Sequence, residues 1–358
     1  MKKVLIVTGG SGGHVIPAIS IYDHLKNNFE VFLITDERGK RFIDQNKYRF
    51  DVLEIPNLFS NLLLLPLKMF KFFFSIINSF RYLRRNNIEI IISTGGYMSY
   101  PICFAGKILK ADIFLFEPNS VLGRSNKYML SIAKKIVCYN LNLKNLPKKF
   151  QNKIFPIEPI LRKEIYFLEK NTKSNFENIK RILVLGGSQG AKFFDHNVMN
   201  LIIEISKFLK IEVHQQIFDE KSKFQIEEKY LNSNINYTLF KFDHNLFEKI
   251  NSFDLAITRS GASAISELVF FNIPFFAIPF PYAKDNHQYF NARFYEEKRC
   301  CWIINQHDFN IQDLSKKIIN LFNQNLEYLE IKKNLKNNSN QNTWNNINKK
   351  LINLINEN

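Results

Sequence analysis

The chain has 358 residues, of which 46% are hydrophobic, and its 49 Lys and Arg against 33 Asp and Glu give a formal net charge of +16. It is too long for one small domain and suits two of ordinary size, each able to bury its own core. The charge favours polyanionic partners (nucleic acid, phosphorylated substrates or an anionic membrane), and the four cysteines, Cys103, Cys138, Cys300 and Cys301, have no spacing that builds a zinc site.

The chain opens on "KKVLIV" (2–7), a short apolar strand pattern without the long apolar core of a signal peptide, so a reducing cytoplasmic compartment is expected. "GGSGGHVIPAI" (9–19) follows, a glycine-rich turn running into a helix start. Such a turn lets backbone N–H groups close on an oxyanion, and the helix adds its positive end, so phosphate or diphosphate is the natural guest. His14 stands at the first turn of that helix, where a neutral imidazole can take a proton from an attacking hydroxyl. A histidine that merely caps the turn is the plain alternative. Asp36, at the end of "EVFLIT" (30–35), sits where a ribose-binding acid of a nicotinamide enzyme would, but the third glycine of that fingerprint is missing.

Residues 58–85, "LFSNLLLLPLKMFKFFFSIINSFRYLRR", are dense in Leu, Phe and Ile but carry charge every few positions. That pattern suits a helix lying in a membrane interface better than one crossing it. The strand patterns "IEIIIST" (88–94), "ADIFLFE" (111–117) and "KIVCY" (135–139) follow, and the Pro- and Lys-rich stretch 146–164 reads as a linker. The plan then restarts: "ILVLGGSQGAKFFDHNVMNLIIEI" (182–205) repeats the strand, Gly-Gly-Ser-x-Gly turn and helix of residues 4–25. Four further strand patterns, 211–217, 236–240, 253–258 and 273–280, complete a second half. Continuous apolar strands alternating with helices predict doubly wound α/β domains with parallel sheets, here 1–160 and 161–341, with a final helix at about 342–358 crossing back to the first.

The second half carries its own chemistry. "GGSQGA" (186–191) offers a second anion site, and "TRSGASAISEL" (258–268) puts a Ser-Gly turn at a strand end with Glu267 in the following helix, where a carboxylate can accept both hydroxyls of a ribose. "PFPYAKDNHQYFNA" (279–292) can reach a sugar through Gln288 and Asn291. No Asp-x-Asp occurs, so no metal and no cofactor is expected, and the helix ends must hold a leaving diphosphate.

Taken together, "GGSGGHVIPA", "STGGYMSYP" (93–101), "EPNSVLGRSN" (117–126), "GGSQGA", "RSGASAISE" and "DNHQYFNA" resemble the motif series of the bacterial peptidoglycan N-acetylglucosaminyltransferases. The resemblance implies a glycosyltransferase-B fold, two Rossmann-like domains facing a cleft, and inverting transfer of GlcNAc from UDP-GlcNAc to lipid I. It further implies a peripheral place on the cytoplasmic face of the inner membrane. On the matching positions, His14 is the general base and Glu117 the second catalytic candidate. Ser11, Gly12, Gly13, Asn119, Arg162, Ser188, Asp243, Ala262, Ser263, Ala264, Ile265, Ser266, Glu267 and Gln288 are the UDP-GlcNAc contacts, with the uracil read by main chain near Phe242 and Asp243. Phe116 and Pro118 depart from the family's His-Glu-Gln-Asn, which would alter the acceptor site, and Arg162 fits the family's linker arginine with a one-residue shift. The Leu/Phe-rich segment coincides with the family's membrane-facing patch. A glycosyltransferase with a diacylglycerol acceptor shares these features. A nicotinamide oxidoreductase leaves the second half without purpose, and nucleic-acid binding rests on charge alone with no recognisable module.

Overall fold

A computed structural model describes residues 1–55, 65–170, 178–187, 191–241, 243 and 245–357, with 65–67 as backbone alone. The chain forms two compact units, Met1–Tyr166 with Thr343–Asn358, and Phe167–Asn342.

Among the described residues the first unit holds strands β1 (Lys3–Val7), β2 (Glu30–Thr35), β3 (Asp51–Val52), β4 (Ile90–Ser93), β5 (Asp112–Glu117), β6 (Lys135–Cys138) and β7 (Ile154–Pro156). All pair in parallel, in the order β3-β2-β1-β4-β5-β6-β7. Helices α1 (Gly12–Leu25), α2 (Glu37–Lys40), α3 (Leu65–Arg85), α4 (Ser99–Ile108) and α5 (Arg124–Met129) connect them. Alternate residues of the central strands face opposite sides. Val4, Ile6, Ile90, Ile92, Phe114 and Phe116 pack into one apolar cluster, while Leu5, Val7, Ile91, Ile113 and Leu115 pack into the other. Strand order reverses between β1 and β4, so the loops after their C-terminal ends diverge there and leave a crevice, the usual ligand position of this architecture.

The second unit repeats the plan with β8 (Lys180–Leu185), β9 (Ile211–Gln216), β10 (Asn236–Phe240), β11 (Leu255–Thr258), β12 (Phe275–Ala277) and β13 (Trp302–Ile303), ordered β10-β9-β8-β11-β12-β13. Its helices are α6 (Met199–Ser206), α7 (Glu220–Asn232), α8 (Leu246–Lys249), α9 (Ala262–Phe270), α10 (His287–Glu296), α11 (Ile311–Gln324) and α12 (Leu326–Ser339). The reversal falls between β8 and β11. Helix α13 (Trp344–Asn356) packs in the first unit, its Ile347, Leu351, Leu354 and Ile355 sharing a cluster with Val15, Ala18, Ile21 and Leu25 of α1.

The ten strands foreseen from apolar runs are present, and the three that were missed, β3, β7 and β13, are two- or three-residue edge strands. Edges are commonly kept this short, and two or three residues carry no readable period. The stretch 146–164 needs correction as a linker: β7 belongs to the first sheet, and Ile157, Ile160, Leu161 and Ile165 are buried. The Tyr166 hydroxyl closes this segment, donating to the Pro159 carbonyl and accepting from the Leu161 N–H. The first unit therefore runs to Tyr166 and takes Arg162 with it.

Candidate active site

The first glycine turn is tied down from below. Asp36, buried at the end of β2, accepts hydrogen bonds from the N–H of Gly10 (2.8 Å) and Gly39 (2.7 Å) through one carboxylate oxygen. Its other oxygen meets Arg38 and Tyr97 at 3.4 Å. Asp36 is thus spent on holding the turn, which removes the ribose role that a nicotinamide enzyme would require of it.

His14 occupies the first turn of α1, and its N–H bonds back to the Ser11 carbonyl at 3.0 Å. Ser11 starts the helix in an extended conformation without a side-chain capping bond, and the first turn carries no acidic residue. The His14 Nδ1 lies 2.7 Å from the carbonyl oxygen of Thr94, just past β4. A carbonyl can only accept, so Nδ1 is the donor and Nε2 is the ring atom left to take a further proton. Gly95 completes the seat: it sits at φ +99°, and a Cβ there would stand 3.0 Å from the His14 ring. Both the backbone conformation and the space demand glycine.

Glu117, at the end of β5, is 3% exposed. One carboxylate oxygen accepts from Asn119 N–H (3.3 Å) and Asn119 Nδ2 (3.0 Å), the other from Gly123 N–H (2.8 Å) and Asn126 Nδ2 (2.9 Å). Four donors occupy its two oxygens. These bonds fasten the loop 117–126 and set the position of Asn119. Arg162 is half-buried on the segment after β7; near it, burial opposes the charge of Glu164, but the Lys47 hydrogen bond, with a smaller contribution from Arg162, holds that carboxyl below the usual range.

In the second unit, Ser188 and Phe242 lie outside the described residues, as does most of the second glycine turn. Asp243 accepts from the Asn245 N–H at 2.8 Å and pairs with Lys249 at 3.3 Å, so its side chain is used locally. Gly261 caps α9, whose Ala262, Ser263, Ala264 and Glu267 are half-buried, while Ile265 and Ser266 face the core. The Gln288 side-chain oxygen accepts from the N–H groups of Phe280 (2.9 Å) and Ser260 (3.3 Å). With the oxygen so engaged, its amide NH2 is presented as a donor. Asn291, buried, donates to the Ser260 carbonyl at 3.1 Å and positions the same turn. His14 and the first glycine turn lie at the strand-order reversal of the first sheet and residues 260–267 at that of the second, while Glu117 and Asn119 follow β5, Arg162 follows β7 and Asp243 follows β10.

Residues 4–138 match the Glycosyltransferase family 28 N-terminal domain and residues 181–349 the Glycosyltransferase family 28 C-terminal domain. The chain belongs to glycosyltransferase family 28. Within the family it is 46% identical over 358 residues (100% of this chain and 99% of the relative) to the UDP-N-acetylglucosamine--N-acetylmuramyl-(pentapeptide) pyrophosphoryl-undecaprenol N-acetylglucosamine transferase of Pelagibacter ubique. It is 36% identical over 327 residues, 90% of this chain and 91% of the relative, to the enzyme of the same name from Rickettsia canadensis. The crystal structure of Acinetobacter baumannii MurG shares the fold, with a TM-score of 0.77 at 20% identity and full coverage of both chains.

Seen on the family's frame, Phe116 is a core residue. It is 1% exposed and its ring meets Tyr139 edge-on at 5.7 Å, so the departure from the family's pattern there changes interior packing, and the expectation that it alters the acceptor site is corrected. Pro118 is buried as well. Two residues that matter were quoted within motifs without a role. Thr94 acts through its carbonyl, for which no side-chain signal exists. Arg259 runs beneath the second glycine turn, 5% exposed, and its guanidinium donates to the carbonyls of Ile278 and Pro279 (both 3.0 Å) and to Gln306 (2.8 Å). Burial lowers its pKa to about 10, so it remains charged at neutral pH.

Proposed function

We propose that the chain transfers N-acetylglucosamine from UDP-N-acetylglucosamine to the C4 hydroxyl of undecaprenyl-diphospho-N-acetylmuramyl-pentapeptide, inverting the anomeric carbon. The acceptor oxygen attacks that carbon, the bond to the donor diphosphate breaks, the hydroxyl proton passes to His14 Nε2, and UDP departs. The observation that carries this reading is the 2.7 Å bond from His14 Nδ1 to Thr94, which leaves Nε2 as the basic atom beside a glycine turn suited to an anion. Glu117 positions Asn119 for the donor, and the Gln288 amide donates to a sugar oxygen. The start of α9 faces the diphosphate with no acidic residue in its first turn, and Glu267 takes the ribose hydroxyls. Ser11, Gly12 and Gly13 line the sugar, while Arg162, Ser188 and the main chain at Asp243 complete the donor contacts.

The enzyme works as a peripheral protein on the anionic cytoplasmic face of the inner membrane. Helix α3 carries no Asp or Glu and exposes Met69, Phe70, Phe73 and Phe74, and neighbouring α4 adds exposed Phe104 and Ile108. Lys68, Lys71, Arg81, Arg84 and Arg85 supply cations to headgroups. Among the described residues no helix is long and apolar enough to cross a membrane. Residues 58–64 of this segment lie outside the described residues.

The test is transfer of label from radiolabelled UDP-GlcNAc, without added metal, in parallel reactions with lipid I, a diacylglycerol and no acceptor. Transfer to lipid I alone is expected. Transfer to diacylglycerol would keep the donor and overturn the acceptor, and no transfer to either would overturn the activity.

A further inference from the structure

Among its described residues the second unit contains a buried positive charge without a negative partner. The Arg259 guanidinium is 5% exposed, and its acceptors, the carbonyls of Ile278 and Pro279 and the side-chain oxygen of Gln306, are all neutral. Among the described residues no carboxylate lies within ion-pair distance of it. Aromatic faces surround it instead, with Phe194, Phe280 and Phe193 centred 4.9, 5.4 and 5.7 Å from its central carbon. These rings are a partial substitute, because a ring face attracts a cation but supplies no net charge. A buried charge in this state is costly, and proteins usually keep one only beside a counter-charge.

Its location says where the counter-charge comes from. Arg259 stands between β11 and α9 at the strand-order reversal, and its side chain passes under Gly187, which is held at φ +93° in the second glycine turn. The next residue, Ser260, has a hydroxyl that is wholly buried and without a hydrogen-bond partner. Then comes Gly261 at the start of α9, with no acidic residue in the helix's first turn. A cation, an unsatisfied hydroxyl and a helix N-terminus thus meet with no anion among them.

We propose that the missing counter-ion of Arg259 is the diphosphate of the nucleotide, and that Arg259 is a positioning residue that makes this site select nucleoside diphosphates over nucleosides. The guanidinium acts through its field and through the loop it holds: it fastens Ile278 and Pro279, and the adjoining Phe280 N–H orients Gln288. Its charge is left uncompensated in the free protein so that the ligand's charge is worth more when it arrives. This inference rests on the donor assignment above and adds the residue that discriminates by charge.

Gln306 provides a test that does not remove the arginine. Its side-chain oxygen is 2.8 Å from the guanidinium, so Gln306→Glu installs a carboxylate of nearly the same shape at ion-pair distance. The variant should melt a few degrees higher, because a buried charge gains its partner. Calorimetric titration of the full chain with uridine, UMP and UDP should show UDP affinity falling about tenfold or more while uridine affinity stays within about twofold. Arg259→Met should produce the same selective loss, and Arg259→Lys should restore much of it. Unchanged UDP affinity in Gln306→Glu, or equal losses for uridine and UDP, would overturn the inference. A wild-type protein that binds UDP no tighter than uridine would instead overturn the donor-site reading on which it rests.

Discussion

The Nδ1 of His14 and the carbonyl of Thr94, 80 residues apart in sequence, meet at 2.7 Å across the two central strands of the first sheet. Each follows a strand on one side of the order reversal, His14 after β1 and Thr94 after β4, so the sheet itself brings the imidazole to its orienting partner.

Replacing His14 by Ala should lower turnover by about two to four orders of magnitude, the usual contribution of a positioned base. UDP-GlcNAc affinity should change little, because the residue acts on the acceptor's proton. Steady-state kinetics with lipid I and calorimetry with UDP-GlcNAc read the two quantities separately, and near-normal turnover would remove the base assignment.

Gly95→Ala tests the seat without touching the base. The substitution forces a side chain into a left-handed conformation and brings a methyl to 3.0 Å from the His14 ring. A stability loss of about 1–3 kcal/mol is expected from the strain. Turnover should fall by a further factor beyond what the folded fraction explains, as the ring is pushed off the Thr94 carbonyl. Thermal melting and kcat measured on the same sample separate these effects.

Gln288→Glu keeps an oxygen for the Phe280 and Ser260 amides but replaces the NH2 donor with an acceptor. UDP-GlcNAc affinity should drop by about tenfold or more, as expected when a donor to a substrate oxygen is lost, while UDP affinity is retained. Equal losses for both ligands would mean that Gln288 only shapes the loop.

The exposed rings of α3 predict membrane affinity. Changing Phe70, Phe73 and Phe74 together to Ser should abolish most sedimentation with vesicles containing anionic lipid, since each buried ring contributes about 1.5–3 kcal/mol of transfer free energy. Transfer to a short-chain, water-soluble acceptor should persist. Undiminished sedimentation would place the membrane contact elsewhere.

His24 on α1 supplies a pH prediction within the first unit. Its ring stacks on Trp344 of α13 at 3.7 Å and meets Tyr166 edge-on at 6.0 Å, and the side chain of Asn348 is a polar neighbour. Burial lowers its pKa from 6.5 to about 3, partly offset by the Asn348 side chain and reinforced by Lys163. The unfolded chain therefore takes up a proton between pH 6.5 and 3 that the folded chain refuses. Stability contributed by the neutral ring is fully present above pH 6.5 and is lost as pH falls through that window, by at most about 1.4 kcal/mol per unit. His24→Phe preserves the stack and should flatten this part of the stability profile, read by denaturation followed through Trp344 fluorescence with Trp302 replaced by Phe.

The Leu/Phe-rich basic segment, the glycine turns and ten of the strands are properties of contiguous residues: apolar runs, turn-forming glycines and charge spacing are local, and a single pass along the chain reads them. His14 was legible for the same reason, as an imidazole one turn into a helix behind a glycine turn. Its tautomer was not, because that depends on a backbone carbonyl 80 residues away and no side chain announces it. Glu117 looked like chemistry in sequence, and only the folded loop, by turning four donors onto its carboxylate, made it a fastener. Phe116 looked like a change at the acceptor until the pleat of β5 turned it into the core. Arg259 shows the division most sharply: its letter sits inside the "TRSGASAISEL" motif, yet the lack of a carboxylate beside it among the described residues is visible only in the fold. Composition and period report which groups a segment carries. Which of them find partners is decided by the tertiary structure, because hydrogen bonds and counter-charges are satisfied across the fold and not along the chain.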